Sequence, residues 1–224
     1  MKFSCKRVGV IGMGKSGVSA ANLARSAGAL VLISETGEKK NFAGFLAKLN
    51  KGIEYEFGGH SEKLLDCDLV IKSPGVPEHL SIISKLKKQK VPVISELELA
   101  LWFLEQKLLV AITGTNGKTT TTALVGEIFA ASRMKSVVAG NIGTPLSSLV
   151  RKVDKKTAVV LEISSYQLEG SPSFHPDICA ILNVTPDHLE HHRTMKNYIA
   201  AKAGIFENQT GSDFCVLNFD DKIV

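Results

Sequence analysis

The sequence predicts an α/β protein made of two successive parallel-sheet domains, and three observations carry that prediction. Apolar β-type runs alternate with helical patterns along all 224 residues. Several runs, such as those ending in Ile112 and Leu161, are continuously apolar rather than alternating, as strands covered on both faces are. Glycine-rich turns from strand to helix occur twice, at Gly12 and Gly114, each opening its own series of βα units.

In chain order, the apolar runs predict strands over 7–11, 29–34, 67–72, 91–94, 107–113, 136–139, 157–163, 178–184 and 214–217. Helices are expected between them: one after Ser16, then over 42–49, 80–89, 96–105, 119–131 and 195–207. In the 119–131 segment Leu124, Val125, Ile128 and Phe129 fall on one stripe, so that face should pack on the sheet. A domain boundary is expected near Pro92 to Ser95, giving domains 1–94 and 95–224.

Hydrophobic residues make up 44% and charged residues 22%, the balance of a soluble globular protein. The net charge of +5 is dispersed, and its densest cluster (Lys85, Lys87, Lys88, Lys90) reads as a solvated helix end. With no aromatics interleaved among basic residues, small phosphorylated ligands are the better partner and no nucleic acid is expected. The four cysteines (Cys5, Cys67, Cys179, Cys215) form no C-x-x-C pair. Three of them adjoin apolar runs, where a free thiol packs as a small hydrophobe in a reducing compartment, which argues against zinc. No signal peptide or membrane-length apolar stretch is visible, so a cytoplasmic location is expected, with no membrane partner.

The first glycine turn, Gly12-Met13-Gly14-Lys15-Ser16-Gly17, matches G-x-G-x-x-G and points to a Rossmann-like domain. Its glycines permit a tight turn, and the following helix N-terminus attracts a phosphate. Glu35 ends the next strand about 20 residues on, where such folds place an acid for a ribose. An NAD-dependent oxidoreductase would satisfy this pattern, as would any ligand with a pyrophosphate and a ribose. Ser73-Pro74-Gly75 is a similar turn after another apolar strand and can join the same pocket, or be a plain turn.

The second turn, Gly114-Thr115-Asn116-Gly117-Lys118-Thr119-Thr120, is a short phosphate loop, with Ile112 where the longer pattern has its first glycine. Backbone N–H groups would cradle ATP phosphates, Lys118 would neutralise β/γ charge, and Thr119 could ligate Mg²⁺. Glu162, at the end of an apolar strand, suits a metal carboxylate, and the 178–184 strand runs similarly into Asp187 and His188. Both strands should deliver their last residues to the sheet edge that carries the loop. His191 and His192 invite a zinc reading, but their spacing with His188 does not read as helical and no cysteine supports them. Solvated loop residues are expected there.

GTNGKTT (114–120), Asn141-Ile142-Gly143, EISSYQLE (162–169) and NVTPDH (183–188) together resemble the Mur ligases, over the whole chain and in the same order. The resemblance implies an ATP-dependent amide-bond ligase of peptidoglycan precursor synthesis, with UDP-N-acetylmuramoyl-L-alanine and D-glutamate as substrates and an acyl-phosphate intermediate. The N-terminal domain would hold the UDP end of the sugar nucleotide through Gly14, Lys15, Ser16, Thr36, Ser73 and Gly75. Gly37 stands where some relatives carry an arginine. In the second domain Lys118 would hold the transferring phosphate. Thr119 and Glu162 would ligate one Mg²⁺, and His188 a second. Asn141, Ser164 and His188 would lie beside the substrate. Lys202 matches the family lysine that is carbamylated to help position the second Mg²⁺, which needs a lysine with a lowered pKa.

Members of this family are about twice this length, so the resemblance makes 95–224 an incomplete P-loop ATPase-type α/β domain, without the C-terminal domain that binds D-glutamate. A monomer is expected. Uncovered strands should leave the second half poorly soluble or partly disordered. The alternatives are a non-catalytic module that binds UDP-sugar or nucleotide, and an NAD-dependent oxidoreductase.

Overall fold

The computed structural model describes residues 3, 6–106, 108–141 and 143–224; Cys5, Lys107 at the expected start of a strand, and Ile142 lie outside them. The described chain divides into two compact units, 1–103 and 104–224. That division falls later than Pro92 to Ser95, because the helix after this segment packs back on the first unit.

In the first unit the strands are β1 (Arg7–Ile11), β2 (Leu30–Glu35), β3 (Glu54–Phe57), β4 (Leu69–Lys72) and β5 (Val93–Ser95). All pair in parallel, in the order β3-β2-β1-β4-β5. The helices are α1 (Lys15–Ser26), α2 (Ala43–Leu46), α3 (Ser81–Lys88) and α4 (Glu96–Leu101). The buried face of α1 includes Ala20, Ala21 and Ala24, whose small side chains let it lie close on the sheet. On α3 the buried residues Ile82, Ile83 and Leu86 join Ile11, Leu64 and Val70 in one core cluster. Helix α4 is opened by Ser95, whose hydroxyl accepts from Glu98 N–H at 3.0 Å. The chain reverses direction across the sheet between β1 and β4, so a crevice opens at their carboxyl ends.

The second unit also has five strands, β6 (Leu108–Thr113), β7 (Ser136–Gly140), β8 (Ala158–Glu162), β9 (Ile178–Ile181) and β10 (Phe214–Leu217). The order is β10-β9-β6-β8-β7, again all parallel. Its helices are α5 (Lys118–Ala131), α6 (Ser165–Glu169), α7 (Leu189–His192) and α8 (Met195–Ala203).

The structure corrects the expected face of α5. Val125 and Phe129 pack on Val110, Ile112 and Val160, but Leu124 and Ile128 are 59% and 54% exposed. The helix turns Thr122 and Gly126 inward instead, because Gly126 lets it close on Val138 of β7. Cys67 and Cys179 are buried thiols, as expected, whereas Cys215 is exposed on β10, where Phe214 and Val216 are also open. Among the described residues no helix is long and apolar enough to cross a membrane.

Candidate functional site

Two glycine turns sit at the carboxyl ends of the two central strands. In the first unit Gly12 has φ +95° and donates its N–H to Ser34 O at 2.8 Å. A Cβ at Gly17 would run into the carbonyl oxygen of Gly12, so the first turn of α1 passes the loop only with glycine there. Gly14 precedes α1 with no side-chain cap, and Lys15 and Ser16 lie in its first turn. Ser73 donates its N–H to Ile11 O at 3.0 Å and its hydroxyl to Gly12 O at 3.3 Å, which brings the Ser73-Pro74-Gly75 turn against the glycine loop. Glu35 accepts from Met13 N–H at 2.8 Å and Gly37 N–H at 3.0 Å, and exposed Thr36 stands 3.2 Å from the same carboxylate. These hydrogen bonds hold its pKa below the usual range against the opposing effect of burial. The acid expected to meet a ribose therefore also braces the loop.

In the second unit Gly114 (φ +158°) and Gly117 (φ +81°) shape the turn from β6 into α5. Thr119 and Thr120 are exposed on the first turn of α5, and no side chain caps its N-terminus. Lys118 Nζ donates to Gly114 O at 3.0 Å and Thr115 O at 2.8 Å. Lys202, from α8, donates to the same Gly114 O at 2.7 Å. Burial first, and then the neighbouring Lys118 charge, bring the Lys202 pKa down to about 8, against a smaller upward pull from Asp187. Its ammonium also lies 4.6 Å over the Tyr198 ring.

Strand register sets the metal-type residues at this edge. Glu162 pairs with Ile112, and Leu182 N–H reaches Thr113 O, so the ends of β8 and β9 flank the loop. Glu162 is buried and accepts from Asn141 Nδ2 at 3.3 Å. Ser164 opens α6 with a capping box closed by Gln167. His188 is half exposed, in a left-handed conformation (φ +52°), with its ring beside Tyr166 at 5.1 Å and Tyr198 at 6.3 Å.

Two residues escaped the sequence reading. Asn183 Oδ1 accepts from Thr115 N–H at 3.1 Å and Asn116 N–H at 2.8 Å, while its Nδ2 donates to Asn116 O at 3.0 Å. Tyr198 lies 3.1 Å from the Thr115 hydroxyl. Signals existed for both: Asn183 heads the NVTPDH segment, and Tyr198 stands four residues before Lys202 on one helix face. The structure also corrects the solvated-loop expectation for two histidines. Residues Leu189–His192 form a helical turn, and His192 is only 3% exposed. A single turn is too short to leave a readable pattern.

The chain is thus a two-unit α/β protein with a Rossmann-type glycine turn in one unit and a short phosphate-loop turn in the other. It belongs to the Mur ligase family: the Mur ligase middle domain matches residues 112–224, and the MurD N-terminal domain matches residues 7–82. It is 46% identical over 226 residues to UDP-N-acetylmuramoylalanine–D-glutamate ligase of Geobacter sp. (strain M21), covering 100% of this chain and 50% of that protein. The enzyme of that name from Clostridioides difficile (strain 630) is 43% identical, with the same coverage. The chain spans about half the length of these curated relatives. Among solved structures, UDP-N-acetylmuramate:L-alanyl-gamma-D-glutamyl-meso-diaminopimelate ligase from Neisseria meningitides superposes with TM-score 0.65 at 17% identity, covering 98% of this chain and 73% of that one. The murein peptide ligase of Psychrobacter arcticus 273-4 gives 0.58 at 16%, covering 97% and 50%. These two likenesses speak for the fold alone.

Proposed function

We propose that this chain carries the substrate-nucleotide and ATP-handling parts of an ATP-dependent ligase that adds D-glutamate to UDP-N-acetylmuramoyl-L-alanine in the cytoplasm. The single observation behind this reading is the convergence of Lys118 and Lys202 on the Gly114 carbonyl, in a chain 46% identical to ligases of that name. The residues present suit the groups required. The uncapped N-terminus of α5, the two positive-φ glycines and Lys118 make a cradle for phosphate. Thr119, Glu162 and His188 are an oxygen-and-imidazole set that would hold Mg²⁺, two ions in this reading, which when bound neutralises phosphate charge.

In this reading the substrate carboxylate attacks the γ-phosphorus of ATP and ADP leaves; the amine of D-glutamate then attacks the acyl carbon, and the amide forms as inorganic phosphate and a proton depart. Two anions must meet in the first step, so positive charge held in place lowers the barrier. Lys118 supplies it, and Asn183 fixes the loop that aims it. The lowered Lys202 pKa favours carbamylation: its neutral form would add to CO2, forming an N–C bond and releasing one proton. The carbamate would stand with His188 among the groups that would hold the second Mg²⁺. In the first unit the α1 N-terminus with Gly14, Lys15 and Ser16 takes the diphosphate, and Thr36, Ser73 and Gly75 line the uridine side. The protein acts as a monomer in this reading.

Calorimetric titration of the purified chain with UDP-N-acetylmuramoyl-L-alanine, and separately with Mg·ATP, tests this. Both are expected to bind. Binding of Mg·ATP without the sugar nucleotide would keep the phosphate loop and overturn the substrate.

A further inference from the structure

A second set of ligand-type side chains gathers beside the Tyr166 ring, which His188 also touches. Glu169 ends α6, and His191 and His192 end α7. One carboxylate oxygen and one nitrogen from each ring lie within 4.8 Å of one another. His191 Nε2 is 2.8 Å from Glu169 Oε2, and His192 Nδ1 is 3.1 Å from Glu169 Oε1.

The state of His192 is informative. Its side chain is fully buried, and its Nε2 lies 2.9 Å from the Ser165 hydroxyl. Its Nδ1 is buried with no hydrogen-bond partner, because Glu169 Oε1, though near, lies off the line an N–H would take. In the tautomer that donates Nε2–H to Ser165, Nδ1 presents a lone pair towards a carboxylate. A buried acceptor left in that condition opposes folding. A cation between the two would satisfy both. A histidine that donates its other N–H to a fixed acceptor is the arrangement metal ligands use. Burial, the leading influence, also lowers the His192 pKa and favours the neutral ring that a metal needs, against the pull of Glu169. Two imidazoles and a carboxylate suit zinc-like transition ions rather than magnesium. Glu169 is partly exposed, which gives an ion a way in, and the Tyr166 ring walls one side, 4.3 Å from His191.

We propose that Glu169, His191 and His192 form a binding site for a divalent transition-metal ion of the Zn²⁺ type, separate from the magnesium set at the phosphate loop. An ion there would tie α6, which begins beside Ser164, to α7, which begins beside His188.

The test is titration of the metal-stripped chain with Co²⁺, read by its d–d absorption, followed by displacement with Zn²⁺. The wild-type chain is expected to take up one equivalent with a low-coordinate spectrum that Zn²⁺ abolishes. Glu169→Gln, at the more open position, and His191→Asn, with its fold checked by circular dichroism, should each weaken binding by at least about a hundredfold, beyond what losing an outer partner costs. His188→Asn should leave this absorption unchanged. Wild-type uptake absent, or equal in His191→Asn and Glu169→Gln, would overturn the site and leave an ion-free histidine–carboxylate pair. Uptake lost only in His188→Asn would place the ion at the phosphate loop and overturn it equally.

Discussion

The two glycine turns occupy the same place in their sheets, yet they are built for different work. The first is braced entirely by backbone and by neutral or acidic side chains: Ser34 O, Ser73 and Glu35. The second gathers two lysine ammonium groups on one carbonyl oxygen and is clamped by the Asn183 amide. A backbone nest suffices to hold a diphosphate that does not react. Moving a phosphoryl group asks for concentrated, fixed charge. The difference between the turns is therefore one of cargo rather than of fold.

That contrast can be broken most sharply at Gly17. A methyl there meets backbone that cannot rotate away, so Gly17→Ala should destabilise the first unit by about 3 kcal/mol. Sugar-nucleotide binding should be lost while Mg·ATP binding survives, as separate titrations would read. The mirror experiment is Lys118→Ala. Losing a charge-assisted contact of about 2–3 kcal/mol should weaken Mg·ATP binding roughly a hundredfold and leave the first unit untouched.

Lys202 sharpens the electrostatic side. Its folded value of about 8 lies below the ordinary lysine value of 10.5. Between those values the unfolded chain binds more protons, so folding stability should rise with pH there and carry its full penalty below pH 8. Unfolding free energies from denaturant titrations should climb across that window by about 3 kcal/mol more in the wild type than in Lys202→Met, the difference removing the buried thiols that titrate there too. No such difference would mean that the ammonium is solvated. Smallest of the four, Asn183→Ala should cost about 1–2 kcal/mol of stability in the second unit and lower Mg·ATP affinity about tenfold, with sugar-nucleotide binding unaffected.

Much of the fold was legible because buried parallel strands are written as continuous apolar runs. Strand β3 was not expected: Glu54-Tyr55-Glu56-Phe57 is an edge strand whose two carboxylates interrupt any apolar run. The short helices α6 and α7 were missed because one turn holds too few residues for a period to show. On α5 the apolar stripe misled, since a glycine facing Val138 decided which side could approach the sheet.

By itself the sequence determined the two glycine turns, their order, and the lysine and threonines of the second, because local backbone requirements are written locally. Only the tertiary structure decided which distant groups meet them. Lys202 reaches Gly114 across 88 residues, and His192 joins Glu169 and Ser165. Burial at those meetings changes a lysine's protonation and leaves a ring nitrogen without a partner. Desolvation belongs to the packed environment and to no single residue, so no reading of the chain alone contains it.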